Sequence, residues 1–131
     1  MGNPIIHFEV AGTDGPALEA FYAQLFEWKI DHQGEGDMQY GFISERSAGA
    51  VGGGIRHEPT GSPEVVFYVE VEDVSIAIER AKALGATVRI NPIDTGDVTF
   101  GMIRDPQGNS VGLIQRPEPP QHSSQEDNPV S

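Results

Sequence analysis

Few side chains in this sequence can carry chemistry, and four of them stand in pairs two residues apart: His7 with Glu9, and Tyr68 with Glu70. That spacing puts each pair on one face of a strand, with about 6.6 Å between the Cα atoms. An imidazole beside a carboxylate is a general acid or base whose protonation the carboxylate tunes, or a neutral hydrogen-bonding group. Either Glu9 or Glu70 can supply the tuning charge. A lone histidine is equally compatible with an interior residue that only satisfies its own hydrogen bonds. Glu9, Tyr68 and Glu70 read as solvated rim residues or as a polar lining for an apolar or cationic ligand. The same four side chains could hold an ion, but two ligands that far apart on one strand converge only if they bend inward.

Other chemistries have little to rest on. His32, His57 and His122 lack partners at ligand spacing, and there is no Gly-x-Ser-x-Gly elbow, His-Glu-x-x-His or clustered Asp motif. Gly52-Gly53-Gly54 lacks the Gly-Lys-Ser/Thr ending of a phosphate loop. Glycine on a strand marks a bulge or a close approach, so this run widens a cavity for a ligand or forms a flexible strand edge. Cysteine is absent. That removes disulfides, thiolate ligands and a cysteine nucleophile, and it suits a reducing cytoplasm.

The elements that must position these residues follow from periodicity. Ile5, Ile6, Phe8 and Val10 predict a strand ending at Ala11-Gly12. Asp14 and Pro16 mark a helix start, and Ala17, Leu18, Phe21, Tyr22, Leu25 and Phe26 recur at the spacing of an amphipathic helix. Strands are expected over 28–33, 38–45 and 50–57, with a linker at 60–63. A strand over 65–71 then leads to Asp73, which caps a helix with apolar Val74, Ala77, Ile78, Ala81 and Leu84, stopped by Gly85. Three more strands follow over 87–91, 98–104 and 110–116, the last two joined by the turn sequence Asp-Pro-Gln-Gly-Asn at 105–109. The order β-α-β-β-β thus occurs twice, and Phe8, Val10 and Leu25 recur at one offset as Phe67, Val69 and Leu84.

Strand alternation divides the faces. Ile6, Phe8 and Val10 suit a helix-covered side, leaving Ile5, His7 and Glu9 opposite. Val65, Phe67, Val69 and Val71 suit the covered side, leaving Val66, Tyr68 and Glu70. On the last strand Val111 and Leu113 go to the core, leaving Ser110, Gly112 and Ile114. Among Trp28, Tyr40, Phe42, Phe100 and Met102, most are expected in the core and one or two on a ligand cavity.

With 131 residues, 37% of them apolar, the chain is sized for one domain. No secretory segment opens it, and no apolar run reaches the roughly 20 residues of a bilayer span. Met1-Gly2 is not a myristoylation signal, because Ile6 stands where Ser or Thr is needed. The formal charge of −12 repels phosphate backbones and anionic membranes, so neither nucleic acid nor membrane is an expected partner. Residues 117–131, rich in Pro, Ser and acid, are expected to form a disordered tail.

Three stretches in register carry a resemblance: Ile-His-Phe-Glu-Val with Phe21-Tyr22 downstream; Val71-Glu72-Asp73-Val74 leading to Ala83-Leu84-Gly85-Ala86; and the 105–109 turn before the last strand. Together they resemble the vicinal-oxygen-chelate superfamily of glyoxalases, bleomycin-resistance proteins and extradiol dioxygenases. The likeness spans about residues 4–116, in modules of about 4–58 and 63–116, and is nearest to single-domain proteins related to lactoylglutathione lyase. It implies an α+β fold in which two βαβββ modules form an open eight-stranded cup, helices outside. It also implies a homodimer. The metal enzymes of the superfamily set four His or Glu ligands on the inner face. His7 matches the first of these positions, whereas the others fall near Gly53 and at Val66 and Gly112, which cannot donate.

The expected function is therefore binding of a small, largely apolar organic ligand in the cup, with no divalent metal and no cofactor. His7, Glu9, Tyr68, Glu70, Gly53, Gly112 and Ile114 form its lining. The alternatives are a lyase or isomerase with His7 as acid and base, a metal enzyme with a shifted ligand set, and a dimeric interaction module with a plugged cup.

Overall fold

The computed structural model describes residues 2–117. Of the tail expected over 117–131, everything from 118 on lies outside the described residues. Eight strands form one open sheet: β1 (Ile5–Gly12), β2 (Ile30–Gln33), β3 (Tyr40–Ile43), β4 (Gly53–His57), β5 (Glu64–Glu70), β6 (Thr87–Asp94), β7 (Thr99–Arg104) and β8 (Ser110–Gln115). Their order across the sheet is β2-β3-β4-β1-β5-β8-β7-β6. β1 runs parallel to β4 and antiparallel to β5, and β5 runs parallel to β8. The two modules therefore meet where β1 pairs with β5, and the repeat-related Phe8 and Phe67 sit directly opposite each other there.

Local chemistry sets the helix starts. Asp14 accepts from the Ala17 amide at 3.1 Å and begins α1 (Gly15–Phe26), with a proline in its first turn. Asp73 does the same for α3 (Val74–Ala83) through the Ile76 amide at 3.0 Å. Of residues 46–49, expected only as a connection, 46–48 belong with Glu45 to a one-turn helix, α2 (Glu45–Ala48), because Ser44 caps it through the Ser47 amide. Pro92 is tolerated in β6 because that strand is the sheet edge.

Beyond the start of β1 the alternation of faces holds on β1 and β5, but the expected distribution of burial does not. Phe8 lies on the helix side, against Trp28 at 5.7 Å between ring centroids, and Trp28 stacks on Tyr22 of α1. Val74 and Ile78 of α3 are buried with Leu113 of β8. Between the two helices, however, the outer face of β5 is open. Val65 is 71% exposed and Phe67 43%, whereas Val66 and Tyr68, facing the other way, are 1% and 7% exposed. α1 packs on β1, β3 and β4 and α3 on β6, β7 and β8, so neither helix covers β5. Leu84, expected in the apolar stripe of the second helix, is exposed just past its end. Ile5 leaves the cup-facing set: a bulge between it and His7 pairs it with Val69.

Candidate functional site

The concave face of β1 presents Glu9, which is buried to 6% exposure. Its carboxylate accepts from Tyr40 Oη at 2.8 Å, from Arg56 Nη1 at 2.8 Å and from Tyr68 Oη at 3.3 Å. Arg56 continues the network through Nη2 to Glu64 Oε2 at 2.7 Å. Glu64 is gripped from the other side by Arg89, whose two terminal nitrogens each donate at 2.9 Å. Arg89 also donates to Ser110 Oγ at 2.8 Å. The Arg89 hydrogen bonds, helped by Arg56, hold the Glu64 carboxyl below its usual range, against the effect of burial. Burial first, and then the Glu9 charge, drive the Tyr40 and Tyr68 hydroxyls up, so both stay protonated as donors.

His7 stands at the end of this chain. Its Nε2 lies 3.1 Å from Tyr40 Oη, and its ring meets Tyr68 edge-on at 5.6 Å. Burial lowers its pKa, opposed by the attraction of Glu9, so the imidazole is neutral at pH 7.

In the C-terminal half an apolar cluster packs on the concave side beside Glu64 and Arg89. Val66, Tyr68 and Met102 form a buried cluster, and Ile90 and Ile114 pack against it. A depression of about 690 Å³ lies over the ends of β1, β3 and β4, lined by Ile6, His7, Ile30, Phe42, Ile43 and Gly53 among others, and another of about 420 Å³ is lined by Arg56, Glu64, Arg89 and Ile90.

The residues singled out from the sequence divide accordingly. His7, Glu9 and Tyr68 come together at the centre, Gly112 lies beneath the Tyr68 ring, and Ile114 packs beside it. Gly53 points to the helix side but lines the depression at the sheet end. It pairs with Phe8, and a Cβ there would lie 2.5 Å from that ring. The cup-facing glycine of β4 is Gly54, which pairs with Glu9. Glu70 sits at the rim, bound to Arg116 at 2.9 Å, so Glu9 alone supplies the charge near His7. Sequence reasoning missed Arg56, Glu64 and Arg89 and ranked Tyr40 with the core. The available signal was an arginine alternating with glycine on one predicted strand and an arginine between Val88 and Ile90 on another.

The superfamily's metal does not fit this donor set. A Cβ on Gly54 would come within 2.0 Å of Tyr40 Oη, and one on Gly112 within 2.3 Å of the Tyr68 ring. The two tyrosines thus fill the volumes that ligand side chains from β4 and β8 would need. Val66 has no lone pair to offer, and Glu9 and Glu70 are engaged by arginines. Among the described residues no group of three His, Asp or Glu is placed to share an ion.

Two βαβββ modules joined through β1 and β5 into one open sheet, with helices on the outer face, define a cup of the vicinal-oxygen-chelate type. The chain belongs to the glyoxalase-like domain family, whose model matches residues 7–114. No curated protein matches it. Similar solved structures include a hypothetical protein from Bacillus halodurans, with a TM-score of 0.68 at 13% identity over 93% of this chain and 100% of that one. A glyoxalase/bleomycin resistance protein/dioxygenase superfamily member from Vibrio splendidus gives 0.60 at 15% identity, over 87% and 99%. A Streptomyces coelicolor methylmalonyl-CoA epimerase gives 0.61 at 13% identity, over 87% and 97%. At such identities these likenesses concern the fold alone.

Proposed function

We propose that this protein binds a small, largely apolar organic molecule at the His7 end of its cup, with no resident divalent metal. The observation that carries this reading is the depression of about 690 Å³ lined by Ile6, Ile30, Phe42 and Ile43 together with a neutral His7. Its size and mixed lining suit an organic ligand. The seat is the end of the cup, because Tyr40, Tyr68, Glu9 and Met102 occupy the centre. Calorimetric titration with planar aromatic metabolites and antibiotics tests it. Binding should weaken at least about tenfold in Phe42→Ala, as expected when an aromatic wall is lost. Binding that ignores both Phe42→Ala and His7→Ala would place the ligand elsewhere and sink the reading.

A second reading, a lyase or isomerase with His7 as acid and base, draws support from the hydrogen-bonded series His7–Tyr40–Glu9. Turnover of any candidate substrate that survives His7→Ala unchanged would remove it. The open apolar face formed by Phe21, Leu25, Phe26, Val65 and Phe67 supports a homodimer. Light scattering on the eluting protein should then give twice the chain mass, and a Phe67→Glu variant should give the single chain.

A further inference from the structure

We infer that Glu9 and Tyr40 hold His7 in its Nε2–H tautomer, so that the site offers Nδ1 as a hydrogen-bond acceptor and selects apolar ligands carrying an O–H or N–H donor. The ligand half of this inference rests on the binding reading above; the tautomer half does not.

The argument is a count of protons. Tyr40 has one hydroxyl proton, and two acceptors compete for it: Glu9 Oε2 at 2.8 Å and His7 Nε2 at 3.1 Å. A hydrogen bond to a carboxylate is the shorter and stronger kind, so the proton goes to Glu9. Glu9 in turn receives donors from Arg56 and Tyr68 and has none to return. Toward His7 the Tyr40 oxygen can therefore only accept. A neutral imidazole has a single N–H, and this contact places it on Nε2. Nδ1 is left with its lone pair. Among the described residues it has no hydrogen-bond partner, and the only buried side-chain nitrogen or oxygen without one is Arg56 Nε. Nδ1 consequently reaches solvent, on a residue that lines the open depression. Asp31 and Glu45 share that lining with a single base, Lys29, so the surroundings also disfavour an anionic ligand. The fitting ligand class is a phenol-like or N–H-bearing apolar ring.

Tyr40 is in these terms a positioning residue, and the readout is spectroscopic. Long-range proton–nitrogen correlation spectra of isotopically labelled full-length protein distinguish the two tautomers of each of the 4 histidines, and His7→Gln identifies the His7 signals. At neutral pH His7 should show the Nε2–H pattern, and Tyr40→Phe, which removes the acceptor, should shift it toward a mixture. A predominant Nδ1–H form in the unsubstituted protein overturns the inference. For the ligand half, naphthol, its methyl ether and naphthoate are titrated in parallel. Naphthol should bind about three- to tenfold tighter than the ether, the range one neutral hydrogen bond supplies, and naphthoate should bind weakest. Equal affinities for naphthol and the ether overturn the selection. If none of the three binds, the binding reading fails and takes the selection with it, while the spectrum still decides the tautomer.

Discussion

In the N-terminal half of the cup, the concave face of β1 carries His7 and Glu9; at the repeat-related points of β5 the C-terminal half carries Val66 and Tyr68. The first pair draws Tyr40 and Arg56 into a hydrogen-bonded network, and the second closes with Met102, Ile90 and Ile114 into an apolar plug. Two modules with the same order of elements have thus divided the labour. One gathers donors around the Glu9 carboxylate, and the other supplies the packed wall beside them, with its own Glu64 and Arg89 extending the network from Arg56. A buried charge network is tolerable only when its members are paired, and the tyrosine shared between the halves, Tyr68, both packs and donates.

The sharpest way to break this comparison is to remove the acceptor at the centre. Glu9→Ala removes the acceptor shared by Arg56 Nη1, Tyr40 and Tyr68, and should cost about 3–5 kcal/mol in urea unfolding. A loss well under 1 kcal/mol would mean that the polar half is not organised around Glu9. Met102→Ala, in the plug, should cost about 2–4 kcal/mol by cavity formation, but should leave the nitrogen signals of His7 in place. Signals that move as far as they do in Glu9→Ala would show that the halves are not separable.

Acid should separate them more gently. The folded pKa of His7 lies below its usual 6.5, so the unfolded chain takes up a proton first. The stability this group contributes is complete above pH 6.5 and is lost as the pH falls through the folded value. Glu64, also lowered, loses its contribution only below its usual 4.5. Unfolding measured against pH should show an upper step that vanishes in His7→Gln and a lower one that persists. The smallest effects concern the helix ends. α1 stops at Glu27 in the left-handed region with φ of 59°, whereas α3 is followed by Gly85 with φ of 106°. Glu27→Gly should raise stability by up to about 1 kcal/mol, and Gly85→Ala should lower it by about as much.

Much of the site's backbone was legible from alternation, since neighbouring side chains on a strand must point to opposite faces. His7, Glu9, Tyr68, Gly112 and Ile114 share the concave side for that reason alone. Gly53 lines the depression at the end of the sheet, but it is Gly54 that shares a face with Glu9, since in a strand a slip of one reverses the face. Glu70 is paired with Arg116, and no rule of spacing connects residues so far apart in the chain. Arg56, Glu64 and Arg89 reach the centre from three different strands, so their meeting depends on sheet order and register.

The chain's local chemistry, in backbone sterics, capping residues and periodicity, was enough to set the order of strands and helices and to show that Val66 and Gly112 bring no lone pair to the cup. Only the assembled sheet decided that Tyr40 and Tyr68 occupy the gaps above Gly54 and Gly112, that Glu9 is shared among three donors, and that β5 lies uncovered on its outer side. Those outcomes depend on where distant segments land against one another, and packing at such distances depends on the register of whole strands rather than on the preferences of any one stretch.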